Sequence, residues 1–258
     1  MINARNAKLL FVSLLLLTFF LDWKYEVPLG VYLFLLLCYL LLLFYGSYFI
    51  QSDFFIRSFW KGDGNRKAIA ITFDDGPMKD FTPRLLDLLQ REKVPAAFFL
   101  IGKNIVGNES LVKRMVDDGH IIGNHSYSHT YWFSLNSSIN MLSDLKKCDE
   151  EILRVTGKYT KLFRPPYGVI NPMVKGAIEK GNYKCIGWSI RTYDTNVKSA
   201  ELLLQKALKN LSNGDIILFH DCGKFTIGIL SDFIKEVRAR GFEIIGVDEL
   251  LGIDSYTD

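Results

Sequence analysis

Ile71-Thr72-Phe73-Asp74-Asp75-Gly76-Pro77 is the stretch on which the fold turns. With Ala68-Ile69-Ala70 before it, the run reads as a buried strand of apolar and β-branched side chains. Gly76 and Pro77 end it, because glycine permits unusual backbone angles and proline removes an N–H. Two adjacent carboxylates at the end of such a strand are costly to leave partly desolvated without a counter-charge. An isolated Asp-Asp-Gly is most often a solvated turn. The downstream sequence argues for a different role here.

After this strand one rhythm repeats: an amphipathic helix, a glycine stop, then a short apolar run. The junctions are Asp118-Gly119-His120-Ile121-Ile122, Thr156-Gly157 before Lys161-Leu162-Phe163, Lys180-Gly181 before Cys185-Ile186-Gly187-Trp188, and Arg240-Gly241-Phe242-Glu243. Glycine just past a helix end is the usual left-handed cap. Thr82-Pro83 reads as an N-cap followed by proline in the first helical position. Strands are expected at 68–73, 96–101, 121–124, 161–163, 184–189, 215–219 and 243–247. Helices are expected near 82–92, 109–118, 136–156, 171–180, 199–211 and 226–240. Strands alternating with helices imply an α/β fold with a parallel sheet, and about seven such units suggest barrel-like closure.

Working toward the N-terminus, Gly62, Asp63, Gly64 and Asn65 are turn material. Residues 28–50 carry no charged side chain and at helical rise exceed the roughly 30 Å of a bilayer core, so a transmembrane helix is expected there. Trp23, Tyr25, Tyr45 and Tyr48 suit its interfaces. Residues 9–21 form a shorter apolar run. A strained span, an interfacial helix and the core of a signal peptide all remain open for it, although no small-x-small cleavage site follows. One span puts the soluble domain opposite the N-terminus. Two spans make a hairpin, for which the positive-inside rule favours a cytoplasmic domain. The chain divides into an anchor of one or two hydrophobic helices (1–55), a linker (56–66) and the α/β domain (67–254).

The 258 residues are enough for one sizeable domain plus this appendage. A net charge of +3, with no basic run, argues against a nucleic-acid partner. Cys38, Cys148, Cys185 and Cys222 are scattered without a CxxC pair and are expected to be buried free thiols.

The polar residues gather after the predicted strands. His125 and His129 follow Ile121-Ile122-Gly123-Asn124. Their spacing would set both imidazoles on one side of a helical turn, a common metal-binding spacing. By itself that pattern more often marks surface or capping histidines. Arg164-Pro165-Pro166-Tyr167-Gly168 follows Leu162-Phe163, Asp194 lies just past Cys185-to-Ser189, and His220 ends Asp215-to-Phe219. In a β/α barrel that rim is where loops build an active site. His120, directly after a capping glycine, reads as structural.

Thr72-Phe73-Asp74-Asp75-Gly76, His125-Ser126-Tyr127-Ser128-His129, Arg164-Pro165-Pro166-Tyr167-Gly168 and Leu218-Phe219-His220 together resemble the polysaccharide deacetylases of the NodB-homology type, carbohydrate esterase family 4. The resemblance covers roughly residues 67–250, with four motifs in the family's order. It implies a distorted (β/α) barrel of about seven units. It also implies one divalent metal, most often zinc, on Asp75, His125 and His129. Asp74 becomes the general base and His220 the general acid. Arg164 would orient Asp74, the Tyr167 N–H would help hold the oxyanion, and Leu218 would line the pocket for the acyl methyl.

Elementary chemistry agrees with those roles. A two-histidine, one-carboxylate site leaves positions open for water and the carbonyl of an unreactive amide. One acid can take the water's proton, and a protonated histidine can supply one to the departing amine. The family's fourth motif, usually Asp-x-x-Asp-Trp, is here Arg191-Thr192-Tyr193-Asp194-Thr195. Asp194 is a candidate partner for Arg164 or His220. Trp188 or Tyr193 could replace the missing tryptophan against the sugar, with a core role for Trp188 equally open.

The leading expectation is a membrane-anchored, metal-dependent hydrolase that removes the N-acetyl group of an amino sugar in a cell-envelope glycan, with its domain outside the cytoplasm. A lipid-linked sugar at the membrane surface is the alternative substrate. A catalytically inactive glycan-binding module is the alternative class, and the intact set Asp74, Asp75, His125, His129 and His220 argues against it.

Overall fold

In the computed structural model, which describes residues 2–257, all seven residues of β1 (Ala68–Asp74) are buried. They are buried because β1 lies inside the sheet, with neighbours on both sides. Two long helices precede it, α1 (Ala4–Tyr25) and α2 (Leu29–Tyr48). After β1 come α3 (Thr82–Glu92), β2 (Ala97–Leu100), α4 (Gly102–Ile105), α5 (Glu109–Asp117), β3 (Ile121–Asn124), α6 (Ser138–Thr156), β4 (Tyr159–Thr160) and β5 (Leu162–Phe163). The chain continues through α7 (Pro172–Gly181), β6 (Lys184–Cys185), β7 (Ile190–Arg191), α8 (Ala200–Leu208), β8 (Ile216–His220), α9 (Thr226–Ala239), β9 (Glu243–Ile244), α10 (Val247–Leu251) and β10 (Tyr256–Thr257).

The main sheet is parallel, in the order β6-β5-β3-β2-β1-β8-β7, with β9 paired to the start of β1. Among the described residues β6 and β7 do not pair, so the sheet curls into a barrel that stays open on one side. Phe59 bridges to Ile186 and Lys61 to Asp215 along that opening. Of the expected strand 184–189 only β6 pairs as a strand, and β7 begins just past its end. Its middle leaves the sheet because the Gly187 N–H is taken by Phe59 O, at 2.9 Å. The antiparallel pair β4–β10, α4 and α10 were not anticipated. Each is short enough for tertiary contacts to decide its conformation.

Strand alternation sorts β1. Ile69, Ile71 and Phe73 join the apolar layer under α3 and α9, where Phe73 stacks on Phe98 and Phe219 at 5.2 and 5.9 Å. Ala70 joins the barrel interior with Ala97, Phe99 and Ile186. Thr72 and Asp74 share that inner face and meet Arg164 there. In register, Asp74 lies beside His220 on β8 and Phe99 on β2.

The capping reading at Thr82-Pro83 shifts by one residue. The N-cap position is Phe81, and Thr82 Oγ1 instead accepts the Met78 N–H and donates to Asp221. No disulfide forms among the described residues. Cys148 and Cys185 are buried as expected, but Cys222 is half-buried and Cys38 is exposed on α2.

The apolar run at 9–21 belongs to the continuous 22-residue helix α1. It pairs with α2 as a hairpin, with Phe11 stacked on Tyr39 at 4.3 Å. Asp22 closes the tip by accepting from the Val27 N–H at 2.6 Å and the Tyr32 hydroxyl at 3.1 Å. The 20 residues of α2 rise about 30 Å. Both helices are long and apolar enough to cross a membrane, and their side chains are mostly exposed. The base of the hairpin is tied to the α/β domain. Ala4 N–H donates to Phe54 O at 2.8 Å, Ile170 N–H to Ser47 O at 3.0 Å, and Gln51 Nε2 to Trp188 O at 2.9 Å.

Candidate active site

The end of β1 separates the two acids by backbone conformation. Asp74 keeps the strand's alternation and is 3% exposed. Asp75 has φ 73°, a left-handed conformation that aspartate tolerates better than most residues. That twist turns its carboxylate out of the barrel and toward the histidines. Its Oδ1 lies 3.6 Å from His125 Nε2 and 3.4 Å from His129 Nε2. Asn104 Nδ2 holds the Asp75 carbonyl at 2.9 Å.

The two histidines do not share a helical turn. They lie on an irregular loop after β3, with left-handed residues at Ser126 (φ 66°) and His129 (φ 46°). Side chains hold that loop: Asn124 Oδ1 accepts the Ser126 N–H at 2.8 Å, and Asp144 on α6 accepts the Tyr127 N–H at 2.8 Å. The rings still converge, with centroids 4.8 Å apart. His125 Nδ1 is 2.7 Å from Arg164 O, an atom that can only accept, so Nδ1 carries the proton and Nε2 presents a lone pair. Burial pushes the His125 pKa down to about 3, keeping the ring neutral.

Arg164 is fully buried in the barrel. Its guanidinium donates to Asp74 Oδ1 at 2.7 Å, Thr72 Oγ1 at 2.8 Å, Gly187 O at 2.9 Å and Ile186 O at 3.2 Å, and it stacks 4.1 Å from the Phe99 centroid. Burial raises the pKa of Asp74, against the opposing pull of Arg164, His220 and His129. With Oδ1 held by Arg164, Asp74 Oδ2 lies 3.9 Å from His125 Nε2.

On β8, His220 Nδ1 lies 2.6 Å from Asp194 Oδ1, and the His220 N–H donates to Asp194 Oδ2 at 2.8 Å. Asp194 is thus the partner of His220, and the acid on Arg164 is Asp74. Burial disfavours the His220 imidazolium, but the hydrogen bond and charge of Asp194, with Asp74 and Asp75, outweigh it and raise the ring's pKa. Burial likewise works against the Asp194 carboxylate, and its bonds from His220 and Thr226 outweigh that and lower its pKa.

Asp74, Asp75, His125, His129 and His220 line one cavity of about 230 Å³, with Arg164 and Asp194 buried behind them. Tyr167, with φ 60°, stands at the mouth with its ring 5.0 Å from that of His129. Leu218 and Trp188 form an apolar wall. Trp188 is only 5% exposed, so it serves both core and pocket. Arg191, Tyr193 and Thr195 complete the far side.

Several supporting residues went unread in the sequence. Asn124 stood in plain view before His125, whereas Asp144 carries no local signal because it is one polar residue on an amphipathic helix. Asp221 is 3% exposed, bonds Thr82, and leaves Oδ1 without a partner; burial pushes its pKa up to about 7. It packs so closely on Gly76 that a Cβ there would overlap its carboxylate. His120 is structural as expected: its Nδ1 accepts the Ala96 N–H at 3.2 Å and its ring packs on Phe98.

The donor set fits a cation. One ligating atom from each of Asp75, His125 and His129 lies within 4.8 Å of the others. Asp75 Oδ1 is a buried carboxylate oxygen with no hydrogen-bond partner, a costly arrangement unless a positive charge meets it.

Residues 61–186 match the family model for polysaccharide deacetylase. The chain is 36% identical over 197 residues to a peptidoglycan-N-acetylglucosamine deacetylase of Bacillus cereus, covering 74% of this chain and 92% of that one. It is 35% identical over 186 residues to the peptidoglycan-N-acetylglucosamine deacetylase PgdA of Listeria monocytogenes serotype 1/2a, covering 72% of this chain but only 39% of that longer protein. Among solved structures, the Bc1960 peptidoglycan N-acetylglucosamine deacetylase superposes with a TM-score of 0.72 at 32% identity, over 77% of this chain and 94% of that one.

Proposed function

The chain belongs to the polysaccharide deacetylase family, and from that premise we propose that it is a membrane-anchored, metal-dependent hydrolase removing the N-acetyl group of an amino sugar in a cell-envelope glycan. The observation that carries this reading is the orphaned Asp75 Oδ1 facing two imidazole nitrogens, with a second carboxylate held back by Arg164. Asp75, His125 and His129 would hold one divalent ion, and zinc suits two imidazoles and a carboxylate. When bound, it would polarise the amide carbonyl and make water more acidic.

The protein's own groups do the rest. Asp74 accepts the water's proton through the oxygen that Arg164 leaves free, and its raised pKa makes it a better base than an exposed carboxylate. His220 donates to the departing amine from Nε2, because Asp194 keeps the other ring nitrogen protonated. No acceptor among the described residues takes the Tyr167 N–H, which suits it to the oxyanion. Leu218 and Trp188 wall a space for the acetyl methyl group.

Incubating the full chain with N-acetylated oligosaccharides and zinc should release equal amounts of acetate and free amine. Glycan binding with no acetate released would leave only an inactive binding module. The relatives' named substrate supports a domain outside the cytoplasmic membrane. A lipid-linked amino sugar is the second reading. The short tether favours it, since Gln51, three residues past α2, already bonds the carbonyl of the pocket residue Trp188. A reporter fused after Asp258 decides the side. A cytoplasmic signal would remove external polymer as substrate and leave the lipid-linked sugar.

A further inference from the structure

A groove of about 540 Å³ adjoins the catalytic pocket and shares Arg191 and Tyr193 with it. Trp60, Lys61, Lys206 and Lys209 also line it. Its one carboxylate, Asp215, is spent on Lys61 at 3.0 Å. Among the described residues, the side chains of Arg191, Lys206 and Lys209 make no ion pair or hydrogen bond. Arg164 makes the contrast plain, since it donates to four acceptors. Basic residues on a solvated face need no organisation, but two of these, Arg191 and Lys206, converge on one ring. The Arg191 guanidinium lies 4.9 Å and Lys206 Nζ 5.4 Å from the Tyr193 centroid, and Arg191 is also 5.4 Å from Trp188. Tyr193 is held at φ 56°, a conformation uncommon for an aromatic residue. Aromatic faces orient the guanidinium while leaving its N–H groups unspent.

We propose that this groove is a subsite for an anionic group, a carboxylate or phosphate, on the sugar next to the one deacetylated. The inference rests on the deacetylase reading and names the substrate class of that same site. Arg191 would meet the anion at the junction, Lys206 and Lys209 would hold it from outside, and Tyr193 would stack on the sugar.

The test compares N-acetylated oligosaccharides of one length that are neutral, carboxylate-bearing or phosphate-bearing, using the full chain loaded with zinc. At least one anionic substrate should be preferred by about tenfold in kcat/KM, mostly through KM, with the preference shrinking as salt rises. The arm that shows it identifies the anion. Lys206→Gln with Lys209→Gln should cut the preference to within about threefold and leave the neutral substrate unchanged. Equal rates on all three substrates, or a preference that survives the double substitution, would overturn the subsite. Calorimetric binding of the same oligosaccharides to the Asp74→Asn protein reads the groove without turnover. Selective binding there without acetate release from the wild type would sink the deacetylase reading and keep the subsite.

Discussion

The two sides of the pocket are built on different principles. On the β1, β3 and β8 side, each polar group is held by another: Asp74 by Arg164, His125 by Arg164 O, and His220 by Asp194. These groups are buried or nearly so, and their protonation follows from their partners. On the β7 side, Arg191 rests only on the ring faces of Trp188 and Tyr193, and Tyr193 is 44% exposed. The buried side keeps the residues expected of the family, while the other side departs from the pattern at Arg191 and Thr195. Reaction chemistry demands fixed geometry, whereas recognition tolerates variation at an exposed rim, so the two can change separately.

Four experiments strain that comparison, in decreasing order of effect. His125→Ala should abolish metal binding and reduce turnover by more than about 1,000-fold, read by metal analysis beside an acetate assay. Unchanged metal content would remove His125 from the ligand set. Asp74→Asn should retain the metal but lower turnover by about 10²- to 10⁴-fold. Full activity in that variant would mean the base is another group.

Asp194→Asn tests whether the buried side works as a unit. The His220 pKa is raised by its bond to Asp194 and by that residue's charge, with smaller help from Asp74 and Asp75. Activity that needs the imidazolium is present at lower pH and lost as pH rises through that pKa. Removing the charge lowers the pKa, so the alkaline limb of the pH–rate profile should move to lower pH. A limb that stays in place would assign it to a different group. The smallest effect belongs to the β7 side: Arg191→Gln should change kcat/KM on a neutral glycan by less than about threefold, as a half-buried cation that makes no ion pair there. A loss as large as that of Asp74→Asn would merge the two sides into one machine.

The polar rim of the pocket was legible because its residues punctuate strands. Ala68-to-Phe73 is apolar but for the β-branched Thr72, and polar groups at its end fall at the barrel's edge. Pairing within the rim was less legible. Asp194 had two candidate partners in the sequence. The choice fell to His220 because β8 carries both its N–H and its ring to the carboxylate. The His125 and His129 spacing suggested a helical turn, but the structure has a loop held by Asn124 and Asp144. Asp144 is 19 residues downstream of His125, and no local pattern announces it. The early end of the strand expected at 184–189 had a similar cause, since Phe59 takes up the Gly187 N–H from a segment read as linker.

From sequence alone came the alternating α/β architecture, the order of the motifs and the identity of the residues that could bind a cation. Those follow from hydrophobic period, turn chemistry and donor type, all local properties of the chain. The tertiary structure decided which carboxylate turns toward the histidines, which acid serves which base, and that Arg191 and Lys206 flank the same ring. These depend on the curl of the sheet and on single backbone angles such as that of Asp75. They arise only when segments far apart in the chain are brought within hydrogen-bonding reach.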